Sequence, residues 1–149
     1  MLKSVRFVAY SSAVVLLATP LVAGAQGREV IVPTGGRGSA TLSPAVKVGN
    51  LVFASGQLPA RGDSTIETQT TSTLENIKKV FEAAGTSMNN AVKCTVFLVD
   101  IKDFQGMNSS YAKFWSPENP PPARSTVAVA ALVTASAKLE VECIAAMPK

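Results

Sequence analysis

Arg124 and Glu142 are the two side chains whose types and settings could act on a small anionic molecule. Arg124 follows three consecutive prolines and an alanine. Because proline restricts the backbone, the origin of this guanidinium should be well fixed. A fixed guanidinium offers two parallel N–H donors to a carboxylate. The local sequence leaves one alternative open, an ordinary surface or salt-bridge arginine.

Glu142 lies in the segment 139–146, whose residues alternate as in a β-strand. Side chains two residues apart share a face of a strand, so Glu140, Glu142 and Ile144 lie together. Glu142 is deeper in the segment than Glu140, and its carboxylate could orient a water molecule or carry its proton. The alternative is a solvent-exposed strand glutamate.

Two further polar residues are weaker candidates. Asn108 lies on the flank of a predicted helix, where it either donates to a substrate group or is a helix-surface amide. Ser55 precedes Gly56, and it either contributes a hydroxyl to a site or only ends a strand.

The composition excludes several kinds of chemistry. The sequence contains no histidine, which removes the commonest general base and metal ligand, and every Ser-His or Cys-His pair. Cys94 and Cys143 form no CxxC motif, so we expect no zinc site. Both cysteines look like small core residues with free thiols, and a disulfide between them is the less favoured alternative.

The charge pattern does not indicate a nucleic-acid surface. Fourteen Lys and Arg face ten Asp and Glu. The longest basic run, Lys78-Lys79, lies beside Glu75 and Glu82 and is typical of a solvated helix face. We therefore expect no nucleic-acid partner.

The N-terminal segment predicts export. Residues 1–6 carry two positive charges, residues 7–22 are almost wholly apolar, and an Ala-Gly-Ala sequence ends at Ala25. This pattern is typical of a secretory signal peptide cut after Ala25. The prediction is a periplasmic or secreted protein without stable membrane association, with residues 26–149 as one domain. An uncleaved membrane anchor is the alternative.

The remaining pattern predicts an α+β fold. Gly49-Asn50 between two short apolar runs indicates a hairpin, and Ser64 to Glu67 has the form of a helix capping box. The predicted order is β-β-β-α-β-α-β-β, with helices over 65–84 and from Asp100, and late strands over 91–99, 125–132 and 139–146. Two helices can cover only one face of a mixed sheet. The uncovered apolar face should find a partner, and closed cyclic assembly is the natural solution.

Three segments resemble the RidA (YjgF-like) family of reactive-intermediate deaminases. They are SPAVKVGNLVFASGQLP from Ser43 to Pro59, TLENIKKVFEAAG from Thr73 to Gly85, and PPARSTVAVAAL from Pro121 to Leu132 followed by LEVEC. The likeness runs from about Glu29 to Ala146. It implies a chorismate-mutase-like fold and a homotrimer that forms a central barrel, with sites at the subunit interfaces.

The resemblance also implies an activity and its residues. The activity is hydrolysis of enamines and imines, such as 2-aminoacrylate, to 2-keto acids and ammonia, without a metal or organic cofactor. By residue match, Arg124 would hold the substrate carboxylate and Glu142 would position or activate the attacking water. Ser55, Asn108 and Thr126 fall at supporting, substrate-lining positions of the family pattern.

One position departs from the family pattern. Leu42 stands where members active on simple imino acids often carry a tyrosine, so the hydroxyl is lost. This leaves a non-catalytic module that binds small carboxylates as an alternative to a deaminase. A holdase-type stress protein that uses exposed apolar surface is a further alternative, and no motif of its own supports it. RNA cleavage, also linked to the family, gains little support from a chain without histidine and with weak positive charge.

Overall fold

The computed structural model describes residues 27–149, so the predicted signal peptide, residues 1–25, lies outside the described residues. The strands are β1 (Arg28–Ile31), β2 (Ala45–Val48), β3 (Leu51–Gln57), β4 (Ala91–Leu98), β5 (Ala123–Ala128) and β6 (Leu139–Ala146). The helices are α1 (Ile66–Ala83) and α2 (Phe104–Tyr111). Within residues 27–149, no helix has the length and apolarity needed to cross a membrane.

The six strands form one sheet in the order β1-β2-β3-β6-β4-β5. The β4–β5 pair is parallel and the other pairs are antiparallel. The observed element order is the predicted β-β-β-α-β-α-β-β, so that prediction is confirmed. The predicted mixed sheet with two helices on one face is confirmed as well.

Alternation along β6 separates the two faces of the sheet. Leu139, Val141, Cys143 and Ala145 are at most 2% exposed and belong to the core that α1 covers. The intervening Glu142 is exposed on the other face. This face, which also carries Phe53 and Thr95, has no helix over it in the described chain, and we call it the open face.

The start of α1 differs by one residue from the predicted capping box. Thr65 rather than Ser64 is the N-cap, and its hydroxyl accepts a hydrogen bond from the Thr68 N–H at 3.2 Å. The helix ends before Gly85, whose φ of 82° favours glycine. Asp100 caps a short 3-10 turn that precedes α2, rather than α2 itself.

The late strands are shorter or shifted relative to the prediction. β4 ends at Leu98 rather than Val99. β5 begins at Ala123 and ends at Ala128, whereas the predicted strand spanned 125–132. Parallel pairing with β4 sets these bounds, because Lys93 lies opposite Ala123 and Leu98 lies opposite Ala128.

The expectation of two separate thiols is wrong, because Cys94 and Cys143 form a disulfide. The antiparallel register of β4 and β6 places these residues directly opposite each other on the helix-covered face. Both are buried, at 0% and 2% exposure. The sequence indicated both strands but not their register, and register decides whether two cysteines meet.

The two helices pack closely at Gly106. A Cβ atom at Gly106 would lie 2.6 Å from Ile66 Cγ2 and 2.5 Å from Glu67 Oε1. The glutamate could swing away, but Ile66 is buried. This close approach sets the position of α2, and thus of Asn108 two residues further along.

Replacing Gly106 with alanine tests that contact. Helix propensity alone would favour alanine by about 1 kcal/mol, whereas overpacking loses about 1–3 kcal/mol. Because Ile66 is buried and cannot move aside, the overpacking loss should lie in the upper part of that range, about 2–3 kcal/mol. We therefore expect a net loss of about 1–2 kcal/mol in the free energy of unfolding, measured by urea denaturation. Ser109→Ala, at an exposed position of the same helix, is the control and should change little. A Gly106→Ala protein as stable as wild type would contradict the packing described.

Candidate functional site

Arg124 is the second residue of β5, the edge strand, so the predicted placement at the start of a strand is confirmed. Its register partner Cys94 faces the helices, and the Arg124 side chain therefore points to the same side. There Arg124 Nη2 donates a hydrogen bond to Asn108 Oδ1 at 2.7 Å. The fold thus brings two of the sequence-predicted residues together.

Two aromatic rings of α2 lie beside the same guanidinium. Arg124 Cζ is 4.5 Å from the ring centroid of Tyr111 and 5.9 Å from that of Phe104. A cation within about 6 Å of a ring face is attracted by the ring quadrupole. The Asn108 amide and the two rings of α2 together hold the guanidinium in place.

Arg124 has no anionic partner in the described part of the chain. The three ion pairs found in residues 27–149 all involve lysines, namely Lys47, Lys78 and Lys138. Arg124 is half-buried, and one of its N–H groups donates to Asn108. The other N–H groups of its guanidinium are available to a ligand. This arrangement suits a carboxylate supplied by a ligand.

Burial keeps the phenol of Tyr111 neutral. Desolvation raises the pKa of Tyr111 to about 12, and the Arg124 charge opposes part of that rise. Tyr111 is only 3% exposed. It therefore contributes its ring to the cation and does not act as a phenolate near neutral pH.

A cleft of about 560 Å³ opens beside Arg124. Asn108 and Tyr111 of α2, Trp115 shortly after it, and residues 120–122 before β5 line this cleft. Sequence reasoning missed Tyr111, Trp115 and these prolines as cleft residues. It assigned the aromatics to an apolar stripe and the prolines to the end of the helix, and no local pattern shows that they face each other.

Glu142 lies far from this cleft in the same protomer. Its register partner on β4 is Thr95, and both are on the open face, with Lys93 nearby in a smaller cleft of about 160 Å³. Arg124 is on the helix-covered face and two strands away, roughly 10 Å across the sheet. One protomer does not bring Arg124 and Glu142 together.

A second carboxyl group lies near Glu142. Burial first and the negative charge of Glu142 second raise the pKa of Glu140 above its ordinary value. The Glu140 carboxyl also fills the space where a Cβ of Gly56 would be. Gly56 is therefore needed where β3 passes β6.

Ser55 is also distant from Arg124. Its hydroxyl donates to the Ser43 carbonyl at 2.7 Å and ties β3 to the segment before β2. β3 and β5 are separated by two strands, which places them roughly 14 Å apart. Leu42 lies in this same region, lines a cleft together with Gly56, and is 54% exposed.

Thr126 shares the helix-facing side of β5 with Arg124, two residues further along. Its hydroxyl is buried and has no hydrogen-bond partner among the described residues. The predicted residues thus fall in three places: the β5 edge, the Ser55 region and the open face. A ligand on Arg124 can meet all of them only if a second copy supplies the rest. Residues 27–149 hold no cluster of three or more potential metal ligands.

Comparison with known proteins places these features in a family. The family described as Endoribonuclease L-PSP matches residues 37–147. Protein HMF1 of Saccharomyces cerevisiae is 42% identical over 113 residues, which are 72% of this chain and 85% of the yeast protein.

Two further relatives carry more specific descriptions. The chloroplastic Reactive Intermediate Deaminase A of Arabidopsis thaliana is 42% identical over 111 residues, 70% of this chain and 58% of the plant protein. The solved structure of TdcF from E. coli with bound serine superposes with a TM-score of 0.72 at 34% identity. The superposition covers 80% of this chain and 99% of TdcF.

The ionisation of Tyr111 offers a test of the Arg124 environment. In the full chain carrying Tyr10→Phe, Tyr111 is the only tyrosine. Its near-ultraviolet absorbance titration should show a pKa of about 12. Because an unfolded tyrosine ionises near pH 10, the folded state binds more protons between about 10 and 12, and stability falls as pH rises through that window.

Substituting the arginine should move this titration in a defined direction. Arg124→Ala removes the charge that favours the phenolate, so the pKa of Tyr111 should rise further. Arg61→Ala removes an exposed charge elsewhere and should leave it unchanged. A pKa of Tyr111 that does not change after Arg124→Ala would show that the two groups are not in contact.

Proposed function

Because this chain belongs to the RidA/YjgF family, described as Endoribonuclease L-PSP, we propose that it hydrolyses reactive enamines and imines to 2-keto acids and ammonia. Family members include a protein named Reactive Intermediate Deaminase A. The observation that carries the proposal is the Arg124 guanidinium, held by Asn108 and Tyr111 at the mouth of a cleft without an anionic partner in residues 27–149.

The substrate carboxylate binds Arg124 through paired, charge-assisted hydrogen bonds. This contact fixes the adjacent C=N carbon, which is already electrophilic, so the reaction needs placement more than a strong nucleophile. The bound serine of the TdcF structure supports this reading, since serine also presents a carboxylate.

The reaction then needs one water molecule and proton transfer. The water oxygen bonds to the imine carbon, the C=N electron pair moves to nitrogen, and nitrogen takes a proton. The hydroxyl proton of this carbinolamine then moves to the nitrogen, the C–N bond breaks, and ammonia leaves as the C=O bond forms. An enamine first takes a proton on its terminal carbon and releases one from its nitrogen, which gives the imine. Glu142 accepts the proton of the water and returns it to nitrogen.

This mechanism requires more than one protomer, and we propose the homotrimer with a central barrel that the family resemblance implies. Arg124 and Glu142 lie on opposite faces of one sheet, so they meet at one ligand only across an interface. The open face carries Phe53 and Val127, each more than 40% exposed, and apolar groups of this kind favour association. Closed cyclic assembly covers the face in every copy.

We further propose that the protein is exported and acts in the periplasm or outside the cell. The apolar segment ending at Ala25 supports this location. The disulfide between Cys94 and Cys143 supports it too, since disulfides persist mainly in oxidising compartments.

The second candidate function is binding of small carboxylates without turnover. The exposed Leu42 favours it, because the family tyrosine that supplies a hydroxyl at this position is absent. Such a protein would keep the arginine anchor but would release no ammonia.

The direct test measures ammonia and keto-acid release from imino acids generated in place by an amino-acid oxidase. Wild-type protein should accelerate release, and Arg124→Ala should lower kcat/KM about 100-fold, since charge-assisted hydrogen bonds each contribute about 1.5–3 kcal/mol. Arg124→Lys should recover only part, because a lysine lacks the paired donors. Arg61→Ala is the charge-matched control and should retain full activity.

Two results would contradict the proposal. An Arg124→Ala protein as active as wild type would remove the anchor from the mechanism. Saturable binding of keto acids by the wild-type protein, with no acceleration of imine hydrolysis, would instead establish the binding module.

A further inference from the structure

The disulfide crosses the boundary between two parts of the sheet. β4, α2 and β5 form a β-α-β unit, because β4 and β5 are parallel neighbours joined through α2. β5 is an edge strand, so this unit meets the rest of the described sheet only along the β4–β6 ladder, which we call the seam. Cys94 of β4 and Cys143 of β6 link the two strands across the seam.

The seam also separates the two proposed reactive side chains. Arg124 lies within the β-α-β unit and beside the disulfide, because it is the register partner of Cys94. The groups of α2 that hold its guanidinium belong to the same unit. Glu142 lies across the seam in β6, next to Cys143. The disulfide therefore ties the part of the domain that carries Arg124 to the part that carries Glu142.

The β4–β6 ladder is interrupted close to this link. Ala91 lies opposite Ala145. Lys93 lies opposite Ile144, so two residues of β4 pass one residue of β6 at this point. Such a bulge disrupts a ladder locally and leaves the extra residue unpaired. The covalent link at Cys94, one residue after Lys93, thus closes the seam next to the place where its hydrogen bonding is broken.

Burial indicates that the disulfide acts by holding the strands and not by thiol exchange. Cys94 and Cys143 are both buried in the core under the helices. Cysteines that exchange or sense oxidants are accessible to the solvent. A bond enclosed in this way stays formed while the domain is folded.

We propose that Cys94 and Cys143 are positioning residues of the proposed site, and that their disulfide fixes the spacing between Arg124 and Glu142 within each protomer. The inference rests on the proposed hydrolysis and on closed assembly. In a closed ring, each protomer supplies Arg124 to one site and Glu142 to another. Movement at the seam then misaligns both sites, and a misplacement of about 1 Å can lower a rate about 100-fold.

Removing the link should lower turnover without weakening the carboxylate anchor. In Cys94→Ala/Cys143→Ala we expect kcat for hydrolysis of the alanine-derived imine to fall about 10-fold, because a small movement at the seam misplaces Glu142. The affinity for pyruvate and the number of sites that bind it should not change, because Arg124 and its α2 neighbours lie in one unit. Calorimetric titration of the folded full chain measures both quantities.

Two further variants separate positioning from a general loss of stability. Val52 is a buried residue of β3, so Val52→Ala destabilises the core without touching the seam, and it should keep the wild-type kcat. In a Glu142→Gln chain, loss of the disulfide should lower the residual kcat no further. Two residues that act through each other give effects that do not add.

The wild-type chain gives a second test that needs no substitution. After unfolding and refolding with dithiothreitol, it should show the same low kcat, and oxidation should restore the original value. The same reductant added to the folded, oxidised chain should leave kcat unchanged, because both cysteines are buried. Loss of activity in that last experiment would contradict an enclosed bond.

Three other results would overturn the inference. They are a wild-type kcat in the folded chain without the disulfide, an equal fall in kcat with Val52→Ala, and a fall in kcat matched by a loss of pyruvate-binding sites. The last result would show that the disulfide only keeps the domain folded.

Hydrogen exchange distinguishes failure of this inference from failure of the proposed hydrolysis. Without the disulfide, the amides of β4, α2 and β5 should exchange faster as a group than those of β3. This exchange pattern in a protein whose wild-type form hydrolyses no imine would support the role of the seam and defeat the hydrolysis. Imine turnover with kcat and exchange both unaffected by reduction would support the hydrolysis and defeat the positioning role.

Discussion

The proposed activity depends on one constraint, the fixed position of the Arg124 guanidinium. A hydrogen bond to Asn108 at 2.7 Å and the ring of Tyr111 at 4.5 Å hold the cation. Neither group neutralises it, and the described part of the chain places no carboxylate beside it. A half-buried cation without a countercharge favours an anionic ligand, because burial has removed part of the water that would otherwise solvate it.

The other elements of the fold fix the position of Arg124. β5 carries Arg124 and is aligned by parallel pairing with β4, whereas α2 carries both groups that touch the cation. Close packing at Gly106 sets α2 against α1, and α1 covers the core side of the sheet. The same alternation that turns Arg124 toward the helices turns Glu142 to the open face. The separation of these two residues thus follows from strand geometry, and it is the strongest physical argument for a site shared between protomers.

The sequence predicted the strands and helices of this fold better than it predicted how they pair and pack. Side-chain alternation in 139–146 and the Gly-Asn turn gave the strand faces and the hairpin correctly. The disulfide was not predicted, because it depends on the register of two strands 49 residues apart. For the site, the proline run indicated a well-placed Arg124, but the aromatic and proline walls of the cleft meet only through packing between α2 and the segment before β5. The separation of Arg124 from Glu142 likewise required the order of strands in the sheet.

Subunit complementation tests the shared site most directly. Arg124→Ala and Glu142→Gln proteins should each be nearly inactive in imine hydrolysis. After unfolding and refolding together in equal amounts, random trimers should place an intact arginine opposite an intact glutamate at about one quarter of the interfaces, and about a quarter of wild-type activity should return. Recovery near that level would establish that the two residues act from different protomers. Mixed trimers that form but remain as inactive as the single variants would contradict the account.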